Sequence, residues 1–345
     1  MAAVKGVGLM AVEIIACPVC GIDQTINKDG RIRRHKAADR TNCQGSGQQT
    51  EPGPKFARAT DHGRYYEDPS DGQMVISCTN ALDEWHIPAL PPAAAKETAE
   101  YIVDHLPAAV RASLRPDTRE AFLKDAKAHY KNVWERKRDL GSRVHRLAEA
   151  HVLGKPMPHD DEAAPFIGEY EKWLDRFNVD IDADIELAEV TVLRRSEPRY
   201  GGTADLWAHL TFPSDFSRQE PRFQGRNPAP IPTPSGLWLI DIKTSLTKPP
   251  SAIYRDNVLQ LAALRFADVA LLPDDTEIKV PEFAGAAILN LRQDSHGFVP
   301  LPAEESAFLA FLSLVGVARF AHALDLKPYK PVVAPLRVVK NEGVA

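Results

Sequence analysis

Residues 202–210 read GTADLWAHL and residues 236–245 read GLWLIDIKTS, and these two runs decide the fold. Each is short, rich in branched and aromatic residues, and flanked by Gly or Pro, which predicts buried strands over 202–210 and 237–242. Each also sets a carboxylate among apolar neighbours, Asp205 in the first and Asp241 in the second. Lys243 follows Asp241 by two residues, so on a strand both side chains leave the same face. Charges on an interior strand are costly unless they pair or bind a metal. Taken alone, IDIKT reads most simply as an Asp–Lys ion pair at a strand end.

Working outward, 185–193 (IELAEVTVL) and 283–291 predict two further strands, and 75–79 a fifth. Helical patterns run over 93–106, 117–140, 160–177, 254–268 and 303–324. A separate helix is expected to open at Gly141-Ser142, capped by the serine, and to end near Gly154. Residues 211–236 hold six prolines, too many for an ordinary hairpin, and predict an extended or disordered excursion between the two strands. The order is therefore helices, three strands, helix, strand, helix: an α/β core with a helical front half.

The chain has 345 residues, 42 Lys+Arg against 47 Asp+Glu, and is 44% hydrophobic, which excludes a disulfide-stapled miniprotein and a wholly disordered chain. Its most apolar stretch, 306–324, is interrupted by Arg319 and His322 and reads as a buried amphipathic helix. No secretion signal is legible at the start, so a cytoplasmic protein without a membrane partner is expected. The net charge of −5 hides a strong asymmetry: residues 111–146 carry eleven basic and five acidic side chains, residues 147–190 three and twelve. A polyanion such as DNA can dock on local basic faces of an acidic protein.

All four cysteines fall in the first quarter. Cys17-Pro-Val-Cys20, then His35 and Cys43, is the layout of a small zinc ribbon over residues 1–47, around an Asp29-Gly30 hairpin signal. So short a segment cannot build its own core and needs such a staple. Cys78 is a rival fourth ligand, although its apolar surroundings suit a buried thiol. Arg31, Arg33, Arg34 and Lys36 make the module a candidate phosphate-contacting arm. Residues 48–72, rich in Gly, Pro and Gln, read as a linker, 73–330 as the main domain, and 331–345 as a tail.

Two more polar residues sit where they can reach the strand carboxylates: His145, in GSRVH on the helix ahead of the sheet, and Gln260, in NVLQLAAL on the helix after it. With GGTAD, IDIKT and QLAAL, this order resembles the PD-(D/E)XK nuclease superfamily, in particular its RecB-like branch of CRISPR-associated exonucleases and their phage-encoded relatives. The resemblance spans roughly residues 65–325. It implies a restriction-endonuclease-like core, a central mixed sheet flanked by helices. It also implies an Mg²⁺- or Mn²⁺-dependent DNA exonuclease acting on linear ends in phage recombination or replication, inside a bacterial cell and with a recombination or replication partner protein.

On that resemblance Asp205, Asp241 and the carbonyl of Ile242 hold the metal, with His145 as an auxiliary ligand and Glu189 as a weaker candidate. Lys243 is expected near the attacked phosphate and Gln260 to orient it or the water. The family's tyrosine after QLxx is Leu264 here, and no cysteine follows Cys78, so no iron–sulfur cluster is expected. Competing readings are a catalytically silent DNA-binding or partner-docking protein on the same fold, and a flap or endonucleolytic mode.

Overall fold

The computed structural model describes residues 14–17, 23–25, 32–33, 35–36, 43, 55–85, 87–213, 217–219, 230–272, 274 and 276–324. Near the N-terminus β1 (Ile14–Ala16) pairs antiparallel with β2 (Asp23–Thr25). A meander follows, β3 (Ala57–Thr60), β4 (Gly63–Glu67) and β5 (Met74–Ser77). Then come α1 (Cys78–Asp83), α2 (Leu90–Asp104), α3 (Leu106–Leu114), α4 (Pro116–Val152), α5 (Ala164–Phe177) and the single turn α6 (Ile181–Asp184). The remainder is β6 (Ile185–Arg194), β7 (Tyr200–Leu210), β8 (Ser217–Gln219), β9 (Pro230–Pro232), β10 (Gly236–Thr244), α7 (Arg255–Arg265), β11 (Val269–Leu271), β12 (Glu277–Lys279), β13 (Gly285–Leu291), β14 (His296–Leu301) and α8 (Glu305–Ala323).

Ten strands form one mixed, mostly antiparallel sheet in the order β12-β11-β6-β7-β10-β13-β14, with β5 joining the start of β7 and carrying β4 and β3. Within it, β10–β13 and β5–β7 are the parallel pairs among the described residues. Helices cover both faces. On one, Leu140, Val144 and Leu147 of α4 and Phe166, Tyr170 and Trp173 of α5 pack on Leu206, Trp238, Ile240 and Leu289. On the other, α1, α7 and α8 supply Ala81, Leu261, Leu264, Phe311 and Val315 against Trp207, Leu239 and Ile288. Each large apolar side chain so buried contributes about 1.5–3 kcal/mol, which is why the central strands read as apolar runs.

The aromatic and acidic content of 55–72 overrides its Gly and Pro content, and these residues are not a linker. Phe56 and Tyr66 are buried against Val75 and Leu193, and Asp61-His62 turns β3 into β4 with Gly63 at φ +90°. The corner after β4 is pinned by Asp68, 1% exposed, which accepts from Arg195 Nε at 3.0 Å, Arg199 Nη2 at 2.6 Å and Ser70 Oγ at 2.7 Å. Residues 48–54 of the expected linker, Asp29-Gly30 and the 331–345 tail lie outside the described residues.

Other expectations are corrected in the same way. α4 runs unbroken through Gly141-Ser142: the serine hydroxyl bonds the Arg138 carbonyl instead of capping a new helix. The glycine lets the helix approach β10, since a Cβ there would lie 3.2 Å from Thr244 Oγ1. The strand expected to continue to residue 79 stops at Ser77, whose hydroxyl accepts the Asn80 N–H and starts α1. Helix 93–106 is two helices, split at His105 ahead of Pro107. In the 211–236 excursion β8 and β9 form a short ladder of their own, and Phe212 packs on Trp238 and Phe298. Among the described residues α8 alone is long and apolar enough to cross a membrane. It packs on the sheet through Phe308, Phe311, Val315 and Ala318.

Candidate metal and catalytic centre

The middle of the sheet is irregular where its carboxylates sit. Ala188 faces α4 and α5 whereas Val190 faces α7 and α8, and on the partner strand Leu206 and Ala204 differ in the same way. Residues two apart on a regular strand share a face. Both strands therefore turn over between these residues, at Glu189 and Asp205, which stand across from each other between the Ala188–Leu206 and Val190–Ala204 pairs. Glu189 absorbs the turn with φ +50°, a left-handed backbone that costs a non-glycine residue about 1–2 kcal/mol. Such strain clusters at functional sites.

The result is a three-ligand constellation. His145, on the sheet-facing edge of α4, places Nδ1 3.6 Å from Glu189 Oε1 and 3.5 Å from Asp205 Oδ2. One donor atom from each of the three lies within 4.8 Å of the others. The Ile242 N–H donates to Asp205 Oδ2 at 2.7 Å and ties this group to β10. The space between them, about 10 Å³, has room for roughly one water-sized sphere and is lined also by Glu149, Tyr170 and Ile242. The Tyr170 hydroxyl is buried there without a hydrogen-bond partner. An imidazole, two carboxylates and an orphaned hydroxyl around a one-atom space fit a small divalent cation with hard-ligand preference, Mn²⁺ or Mg²⁺.

On the other side of β10 lies a second group. Asp241, 1% exposed, pairs through Oδ2 with Lys243 Nζ at 2.7 Å and accepts at Oδ1 from Gln260 Nε2 at 2.8 Å. Lys243 closes the ring by donating to Gln260 Oε1 at 3.2 Å. Asn290 and Arg292, side by side at the end of β13, brace the loop after β10. Asn290 donates to the Pro250 and Ala252 carbonyls, and Arg292 to those of Lys248, Pro249 and Lys243.

Burial sets the electrostatics. It raises Asp241 to about 6 against the attraction of Lys243, with the Asp205 charge adding to the rise. It raises Glu189 as well, and the Asp205 charge again adds to the shift. Burial pulls the other way at Asp205, but the His145 and Lys243 charges and the Ile242 N–H outweigh it and lower that carboxyl. Burial would also lower His145 and Lys243, and the neighbouring carboxylates reverse the sign for both. The centre is a dense set of charges held close mainly by one another.

Of the expected residues, His145, Glu189 and Asp205 bring their donor atoms together, while Asp241, Lys243 and Gln260 form the adjoining ring; Asp241 is not among the three clustered donors. Glu189 thus stands closer to the centre than a second-tier residue. Glu149 and Tyr170 carry no motif, although Glu149 sits one turn beyond His145 on the same helix. At the N-terminus Cys17, His35 and Cys43 cluster within 4.8 Å, Cys17 and Cys43 buried with Ile32, and Cys20 lies outside the described residues. The Cys17 and Cys43 sulfurs are 3.6 Å apart, too far for a disulfide and close to the ~3.8 Å edge of a tetrahedral zinc–thiolate site. His35 Nδ1 bonds the Arg33 carbonyl, the kind of contact that fixes a ligating histidine. Cys78 belongs to the main core beside Gly202 and Leu264, and burial raises its thiol far above the usual range. Arg33 and Lys36 are exposed, and Arg31 and Arg34 lie outside the described residues.

No family model matches this chain, and no curated protein matches it. Among solved structures, the chain is similar to the crystal structure of SSO0001, at 14% identity over 45% of this chain and 57% of that one. The TM-score is 0.22, and a likeness of that size carries no argument.

Proposed function

We propose that this chain is a divalent-metal-dependent nuclease that hydrolyses DNA phosphodiester bonds, on a core of the restriction-endonuclease type. The observation that carries the reading is the convergence of His145, Glu189 and Asp205 on one ion-sized space, one backbone step from the Asp241–Lys243–Gln260 ring. His145, Glu189 and Asp205 would hold Mn²⁺ or Mg²⁺, with Asp241 and the Ile242 carbonyl completing the set. The bound ion supplies Lewis acidity at the phosphoryl oxygens and a more acidic water.

The chain's own residues supply the rest. Lys243 carries a full positive charge, held by Asp241 and Asp205, and is placed to neutralise charge that grows on a phosphate oxygen. Gln260 bridges Asp241 and Lys243 and fixes the ammonium's direction, so little reorganisation is needed when substrate arrives. Asn290 and Arg292 hold the following loop in place through backbone carbonyls. Exonucleolytic action in DNA recombination or replication is the biological reading that the motif resemblance favours.

Incubation of linear DNA with purified protein in Mn²⁺ or Mg²⁺, against EDTA, tests the activity. Metal-dependent degradation is expected, and intact DNA under all conditions sinks the reading. At the N-terminus we assign one Zn²⁺ to Cys17, His35 and Cys43 with Cys20. Elemental analysis should give one zinc per chain, lost in Cys17→Ser. Undiminished zinc in that variant defeats the assignment.

A further inference from the structure

The long helix α4 presents a basic stripe that leads to the candidate centre. Lys124, Lys127, Lys131 and Arg138 precede His145 at intervals of three, four, seven and seven residues, the spacing that keeps side chains on one helix face. All four basic residues are exposed, and none has an ion pair among the described residues. Two other basic residues of the same helix are occupied: Lys137 pairs with Glu97, and Arg143 with Asp139, Asp160 and Glu162. Arg119, Arg136 and Arg146 are exposed and without an ion pair among the described residues as well, so the stripe is the part of this unpaired basic surface that lines up with His145.

Two more features lie along it. The first half of α4 presents an open surface along this side, with a lining of Arg119, Leu123, Lys124, Lys127, Ala128 and Lys131 that belongs to α4 itself. Glu120 is the one acidic residue lining it. Trp134 falls between Lys131 and Arg138 at the same helical spacing, half-exposed, with Tyr130 edge-on to it at 5.1 Å. A line of cations with an aromatic ring set into it is the combination that binds single-stranded nucleic acid: cations follow the phosphates, and rings stack the bases. From Lys124 to His145 the helix rises about 31 Å at 1.5 Å per residue, a span of several nucleotides.

We propose that this face of α4 is a track for single-stranded DNA that delivers the strand to the His145–Glu189–Asp205 centre. The proposal rests on the nuclease reading for what happens at the end of the track, but its binding surface can be tested without any cleavage. The stripe places a single strand, rather than a duplex, as the form that reaches the metal.

The probe is a fluorescein-labelled oligothymidylate of about twenty nucleotides, titrated by anisotropy in EDTA across a range of salt. Lys124→Ala/Lys127→Ala/Lys131→Ala/Arg138→Ala should reduce the slope of log affinity on log salt by about 2.8, and affinity near 0.1 M salt by about 10²–10³-fold, at 0.7 per lost phosphate contact. Lys96→Ala/Lys279→Ala, two exposed lysines away from the stripe, should leave both unchanged. Trp134→Ala should weaken binding about tenfold with the salt slope intact. Wild-type affinity and slope in the fourfold variant overturn the track. Wild-type affinity in Trp134→Ala, or tighter binding of a duplex of equal length, overturns the single-strand assignment. Cleavage of the same oligonucleotide in Mn²⁺ is read separately. A wild-type protein that binds through the stripe but never cuts defeats the nuclease reading and leaves the track standing, whereas cutting with no effect of the stripe does the reverse.

Discussion

Two sets of buried carboxylates sit in the same sheet and have opposite fates. Asp68 is surrounded by donors: two guanidinium groups, a hydroxyl and the Ser70 N–H. Burial alone would raise its pKa, yet the Arg195 and Ser70 hydrogen bonds drive it well below the ordinary carboxylate range. Asp241, as enclosed as Asp68, and the partly buried Glu189 are raised instead, because burial is not outweighed by their hydrogen bonds and cations and the Asp205 charge adds to it. A saturated carboxylate is a structural clamp. An under-neutralised cluster around an ion-sized space has the charge balance that suits a cation.

The contrast is broken most easily at Glu189. Glu189→Gln removes the charge of a carboxylate that burial and the Asp205 charge hold above its ordinary range, so DNA cleavage should fall below detection while the metal-free protein melts at or above the wild-type temperature. A gel assay in Mn²⁺ paired with thermal melting in EDTA reads both. A variant that melts far lower would make Glu189 another clamp and dissolve the distinction.

Lys243→Ala comes next in size. It should cost about 10²–10³ in rate, roughly 3–4 kcal/mol of transition-state stabilisation, and leave calorimetric Mn²⁺ affinity near wild type. Loss of metal binding together with rate would mean that the ammonium holds Asp241 in place and does nothing at the phosphate.

At the clamp the order of effects reverses. Asp68→Ala strips Arg195 and Arg199 of their shared partner, but Arg195 keeps Glu277 and Arg199 keeps Asp71. The loss should therefore be near the lower end for a broken buried pair, about 3 kcal/mol by urea denaturation. Cleavage by the folded fraction should remain. A change below about 1 kcal/mol would show that the corner after β4 does not depend on the clamp.

The central strands were legible because apolar runs bounded by Gly and Pro leave few alternatives, and β6, β7, β10 and β13 fall where those runs are. Short strands with polar or small residues, such as β12 (EIK), carry no such signal and are fixed only by pairing with a neighbour. Gly141 misled because a glycine needed for close helix–strand approach looks, in sequence, like a helix end. The hairpin at 55–72 was hidden by its Gly and Pro content, although Tyr65 and Tyr66 were there to read. At the site, Asp205, Asp241, Lys243, His145 and Gln260 were visible as spaced polar residues in apolar surroundings. The weight of Glu189 was not, since it comes from a left-handed backbone and a cross-strand position opposite Asp205 that no local pattern encodes. Tyr170 is an ordinary core aromatic until its hydroxyl is seen to end beside that cavity.

The smallest expected effect is a pH dependence that belongs to the clamp. The folded-state pKa of Asp68 lies below that of the unfolded chain, about 3.9, so the unfolded state takes up the proton first as pH falls. Stability rises with pH wherever the unfolded state binds more protons, so the contribution of Asp68 is fully present above about pH 4 and drains away as pH drops through the folded-state value. Asp68→Asn has no such proton to gain. The urea stability gap between wild type and Asp68→Asn should then be constant from pH 7 to pH 5 and narrow below pH 4, by at most about 1.4 kcal/mol per pH unit. Asp160 and Asp268 are also lowered and add acid sensitivity to both proteins alike, so they cancel in the difference between the two curves, which reads Asp68 together with its effect on Asp71 across Arg199. A gap that stays fixed down to pH 3 would mean that the carboxylate charge adds nothing beyond what the amide supplies by hydrogen bonding, and the clamp would then be one of shape and not of charge.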